Sequence, residues 1–81
     1  MHEWKITESV VEEVLNQAKK NDLKKIDKVR LSIGNDIDLT PDAITFCFQV
    51  LSKGTILEKA CLEIDMRDGR GITVESLEGE R

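Results

Sequence analysis

The apolar positions of the chain fall into two helical stripes and three short extended runs, and their order outlines a small domain. From Ile6, apolar residues recur at Val10, Val11, Val14, Leu15 and Ala18, the spacing that lays one stripe along a helix. Thr7 or Ser9 can cap its start, and Ser9 with Glu12 three residues on fits a capping box. Lys19 and Lys20 suit the other end, where Asn21 is the predicted left-handed stop. Val29, Leu31 and Ile33 then alternate with Lys28, Arg30 and Ser32, which predicts a strand over 26–33 with one buried face, ended by Gly34-Asn35-Asp36.

Thr40-Pro41 supplies an N-cap followed by proline at the first helical position. Ile44, Cys47, Phe48 and Leu51 make the second stripe, widened by Ala43, Phe46 and Val50, until Lys53-Gly54 closes the helix. Ala60, Leu62, Ile64 and Met66 alternate with Cys61, Glu63, Asp65 and Arg67, and a further run follows over 72–77. The Asp-Gly signal within 67–71 predicts that these two strands form a hairpin. The expected fold is α+β: a small mixed sheet of three main strands with two helices packed on one face, Met1 to Trp4 adding a short edge strand.

At 81 residues the chain allows one domain, over 1–81, with a core of limited size. Its net charge of -4, with acids and bases interspersed, leaves no basic stripe for a phosphate backbone, so nucleic acid is not an expected partner. No apolar run approaches a membrane span and the start does not read as a signal peptide, so the expected setting is cytoplasmic, away from the membrane. Cys47 and Cys61 lie among apolar residues and lack the spacing of a zinc site. With one histidine, no nucleophile–base pair and no phosphate-binding glycine loop, an enzyme is not the expected reading.

Candidate chemistry concentrates at Met1-His2-Glu3. The Met1 amine, the His2 amide nitrogen and the His2 imidazole Nδ1 can close two fused chelate rings around one ion, and nitrogen-rich tetragonal sets suit Ni(II) or Cu(II). Histidine after Met1 is too large for the usual trimming of the initiator methionine, which keeps the amine in register. The fourth position stays open between the Glu3 amide, the Glu3 carboxylate, water and a group from a partner. Glu3 is equally well a plain surface acid. Trp4 either shields the site, forms part of a docking surface or pins its segment to the core.

The Met1-His2-Glu3 start, the following amphipathic helix, Leu31-Ser32-Ile33-Gly34, Phe46-Cys47-Phe48 and the run Gly54-Thr55-Ile56-Leu57-Glu58-Lys59-Ala60-Cys61-Leu62-Glu63-Ile64 together resemble the nickel-binding domain of the HypA/HybF family of [NiFe]-hydrogenase maturation chaperones. The resemblance implies a non-enzymatic metallochaperone that binds one Ni(II) at its N-terminus for hydrogenase, in some organisms urease, with the HypB GTPase as partner. Family members insert a zinc-ribbon-like module between the second and third strands, built on two Cys-x-x-Cys pairs. Here the turn at 67–71 spans that place and neither cysteine forms such a pair, so no zinc is expected in this chain. Docking on the hydrogenase large subunit, which the resemblance assigns to the missing module, loses its support. The alternative is a metal-free adaptor that docks on the GTPase.

Overall fold

The computed structural model describes residues 2–36 and 38–81. Its elements follow in the order α1 (His2–Lys20), β1 (Lys25–Gly34), α2 (Pro41–Ser52), β2 (Cys61–Arg67) and β3 (Ile72–Glu80). This is the α+β arrangement of two helices and a three-stranded mixed sheet that the hydrophobic pattern predicts.

Helix α1 starts earlier than the caps suggest. It is already wound at His2, so the predicted edge strand over Met1 to Trp4 does not form across its described part. Thr7 and Ser9 lie inside the helix. The Thr7 hydroxyl turns back to donate to the Glu3 carbonyl at 2.7 Å, which satisfies a buried side chain that a cap would have pointed at the next turn. At the other end Asp22, with φ of 57°, takes the left-handed position expected of Asn21. Leu23 N–H donates to the Ala18 carbonyl at 2.9 Å and Asp22 N–H to that of Lys19 at 3.2 Å, the paired bonds of a Schellman stop.

Strand β1 is central, in the sheet order β2-β1-β3. It pairs in parallel with β2 and antiparallel with β3. The hairpin predicted between β2 and β3 is therefore absent: the two strands flank β1 and never meet. An intervening helix between β1 and β2 is what a parallel pair requires, since parallel neighbours need a long crossover. The register stacks Leu62, Val29 and Leu77 in one row and Ile64, Leu31 and Val74 in the next. Val29, Leu31 and Ile33 are fully buried, while their neighbours on the flanking strands are half-covered or, at Met66, exposed. Against them pack Val10, Val11, Val14 and Ala18 of α1, Ile44 and Phe48 of α2, and Leu57 from the turns after α2.

The α2 stripe is narrower than predicted. Ile44, Cys47 and Phe48 are buried, but Phe46 is 65% exposed and Val50 38%. At 100° per residue these two and the half-buried Ala43 form a second stripe on the flank of the helix, roughly 120° from the core stripe. The Thr40 cap forms as expected, its hydroxyl accepting from the Ala43 N–H at 3.2 Å.

The segment joining β2 to β3 crosses the end of β1. Gly34 N–H donates to the Gly71 carbonyl at 2.7 Å and Asn35 N–H to that of Arg67 at 3.0 Å. Asn35 and Asp68 side chains bond at 2.9 Å, and the Gly71 N–H donates to the Asp36 carboxylate at 3.1 Å. Arg67 ties this crossing down from below: its Nε donates to Ser32 Oγ at 2.6 Å and one Nη to the Arg70 carbonyl at 2.9 Å.

Candidate metal site at the start of the first helix

Of the predicted ligand residues, Met1 lies outside the described residues, as does the His2 side chain. The His2 backbone opens α1, and Glu3 is half-buried in its first turn, where it is the acidic residue beside the positive end of the helix dipole. A helix leaves its first N–H groups without intrahelical acceptors. The amides of His2 and Glu3 belong to that set, so neither is committed to the helix ladder. Among the described residues no group of three or more histidine, cysteine, aspartate and glutamate side chains converges to hold a metal.

The surroundings of this turn are apolar. Glu3, Trp4, Ala43, Phe46 and Cys47 line a groove of about 500 Å³ between the start of α1 and the outer side of α2. Cys47 is buried at its edge with a free thiol, and Cys61 is free and exposed on β2. Sequence reasoning placed Phe46 in the core and so missed this groove. The signal was the second apolar stripe, Ala43, Phe46 and Val50, set apart from the core stripe by helical periodicity.

The orientation of α1 follows from its neighbours. Ile6 and Ser9 lie by Ile72 and Thr73, at the start of β3, whereas Gln17 and Asn21 lie by Leu77 to Gly79, near its end. The helix thus runs alongside β3 in the same direction. Its N-terminal turn sits at the end of the sheet where the Asp68–Gly71 crossing lies.

The sheet face turned away from the core carries charge. Glu63 accepts from Arg30 at 3.1 Å and pairs with Lys28 at 3.3 Å. The Arg30 hydrogen bond, then Lys28, holds the Glu63 carboxyl below its ordinary range, and the same bond raises the Arg30 guanidinium. These pairs are solvent-exposed and satisfy one another, so the face presents a solvated surface and not a site.

The family profile described as "Hydrogenase/urease nickel incorporation, metallochaperone, hypA" matches residues 1–77, and the chain belongs to that HypA family. It is 38% identical over 71 residues to the hydrogenase maturation factor HypA of Rhizobium leguminosarum bv. viciae, covering 88% of this chain and 63% of that protein. It is 41% identical over 69 residues to that of Methanopyrus kandleri, covering 85% and 49%. To that of Nostoc punctiforme it is 45% identical over 64 residues, covering 79% and 54%. The chain thus spans between about half and two thirds of the length of these curated relatives. Among solved structures, the solution structure of the Ni metallochaperone HypA from Helicobacter pylori superposes with a TM-score of 0.84 at 16% identity, over 96% of this chain and 97% of that one. A second, titled solution structure of HypA protein, gives 0.67 at 23% identity, over 94% and 71%. Both likenesses concern the fold. Among the described residues no helix is long and apolar enough to cross a membrane.

Proposed function

We propose that this chain is a nickel-binding domain that carries one Ni(II) at its N-terminus as cargo and hands it on, without catalysing a reaction of its own. The donors are the Met1 amine, the His2 amide nitrogen and the His2 imidazole Nδ1, with Glu3 supplying or guarding the fourth position. The observation that carries this reading is the start of α1 at His2. There the His2 amide lacks an intrahelical acceptor, so its proton can be displaced by the metal without breaking a helical bond. The two chelate rings constrain the Met1 ψ and the His2 χ1 but leave the His2 ψ free to stay helical. Recruiting the Glu3 amide as well would flatten the His2 ψ from its helical value of about −42° towards the plane of a third ring, unwinding the first turn. The family match includes residues 1 to 3.

The recipient, by the family description and the relatives' names, is a hydrogenase, with urease as the second nickel enzyme of that description. The HypB GTPase is the proposed partner in transfer. The domain spans 1–81, holds no zinc, and substitutes the Asp68–Gly71 crossing for a zinc module. The working setting is the cytoplasm.

Nickel titration of the untagged chain and of His2→Ala tests the site. We expect one nickel per chain, lost in the variant while its circular dichroism is unchanged. Acetylating Met1 should be nearly as damaging, because it turns the amine into an amide. Tight stoichiometric binding by His2→Ala would refute the assignment. Binding of the GTPase with no nickel uptake by the unmodified chain would favour a metal-free adaptor.

A further inference from the structure

Trp4 lies two residues after His2, yet it is not part of the hydrophobic core. It remains 37% exposed and shares the walls of the groove with Glu3 and with Ala43, Phe46 and Cys47 of α2. A core tryptophan would be enclosed as Val14 is, at 0%. The turn that holds Trp4 has a weak hold of its own. Its first N–H groups have no intrahelical acceptors, and chain ends fray unless something ties them down. The Thr7–Glu3 bond ties the turn only to the next turn of the same helix. Across the groove Trp4 faces a second helix, which is itself fixed by Ile44 and Phe48 in the core.

We infer that Trp4 is a positioning residue for the nickel site, its indole set against α2 opposite Phe46 so that the first turn of α1 stays wound and the His2 and Glu3 donors keep a fixed mutual geometry. The inference rests on the N-terminal site proposed above. An indole supplies a large apolar area with only two rotatable bonds, so it anchors a segment with little loss of its own freedom. Donors already ordered before the ion arrives bind it more tightly than donors that must be ordered by it. Phe46, 65% exposed where α2 borders the groove, has no core duty that would otherwise explain a large aromatic there.

The test compares Ni(II) affinity, the absorption spectrum at saturation and metal-free thermal unfolding for the untagged chain and for Trp4→Ala, Trp4→Phe, Phe46→Ala and His2→Ala. Trp4→Ala should weaken nickel binding roughly tenfold, the equivalent of about 1.4 kcal/mol. Its saturated spectrum should stay as in the parent, because the donors are untouched, and its metal-free stability should fall by no more than the equivalent of that tenfold loss, because the core is untouched. Trp4→Phe should recover most of the affinity, and Phe46→Ala, which removes the opposite wall, should lose several-fold. A purely structural role would move the midpoint and not the affinity. Parental affinity in Trp4→Ala with loss of binding in His2→Ala overturns the inference and leaves the site standing. Parental affinity in His2→Ala overturns both. Should Trp4→Ala fail to fold, Phe46→Ala decides, and parental affinity there overturns the inference.

Discussion

Replacing Gly34 by alanine tests the crossing of the β2–β3 segment over the end of β1. A Cβ built on Gly34 would lie 2.5 Å from the Gly69 carbonyl oxygen and 2.8 Å from the Gly69 and Arg70 carbonyl carbons. All three are backbone atoms, so no side-chain rotation relieves the clash and the crossing itself must lift by several tenths of an ångström. Overpacking of this kind costs about 1–3 kcal/mol. The lift also stretches the Gly34–Gly71 and Asn35–Arg67 bonds, each worth about 0.5–1.5 kcal/mol net. Against this, alanine restricts the unfolded chain and returns about 0.4–1 kcal/mol. The expected net destabilisation is about 2–4 kcal/mol. Gly71→Ala is the control: its Cβ would meet nothing within 4 Å, but its φ of +76° is unfavourable for alanine, which costs only about 1–2 kcal/mol. Urea unfolding monitored by far-ultraviolet circular dichroism gives both values. A Gly34→Ala loss below that of Gly71→Ala would refute the close approach on which the reasoning depends.

Leu57 is fully buried although it lies in the turns after α2, so Leu57→Ala should cost roughly 2–5 kcal/mol, again by urea unfolding; a loss under about 0.5 kcal/mol, the surface range, would show that this segment does not plug the core. Because Arg30 and Lys28 hold the Glu63 carboxyl below its ordinary value of 4.5, folding gains from its ionised form. That gain is complete above the ordinary value and is lost as pH falls through the lowered one. The stability difference between the parent and Glu63→Gln should therefore be constant near neutrality and shrink in acid, as read from unfolding midpoints across pH; a difference that grows in acid would reverse the sign of the argument.

Periodicity exposed the core more faithfully than the punctuation exposed the boundaries. Val10, Val11, Val14, Ala18, Val29, Leu31, Ile33, Ile44 and Phe48 all stand buried as their spacing predicts. The start of α1 was misplaced because threonine and serine before an acidic residue look like a cap whether or not a helix begins there. The Thr7 hydroxyl back-bonds within the helix instead, a choice that no local pattern records. The hairpin failed for a different reason: Asp-Gly marks a turn but does not say which strands the turn joins. The strand–helix–strand order from β1 to β2 carried the missing information, since a crossover helix favours parallel neighbours. At the candidate site, His2 and Glu3 are proposed as donors from residue chemistry alone. Their setting on a wound helix was not legible there, and neither was the groove formed with Phe46, because both depend on where α2 comes to rest.

Since β2 and β3 each hydrogen-bond to β1 and not to one another, the Asp68–Gly71 link does not decide which strands pair, and its own bonds reach only the end of β1, at Gly34 to Asp36. It is in polymer terms a tether between two points about two strand spacings apart, roughly 9–10 Å. The entropy of closing such a tether grows only with the logarithm of its length, so making it ten times longer would cost about 2 kcal/mol. A chain of this topology can therefore gain or lose a whole folded unit between its second and third strands and keep the same core, with the unit standing at the end of the sheet where α1 begins.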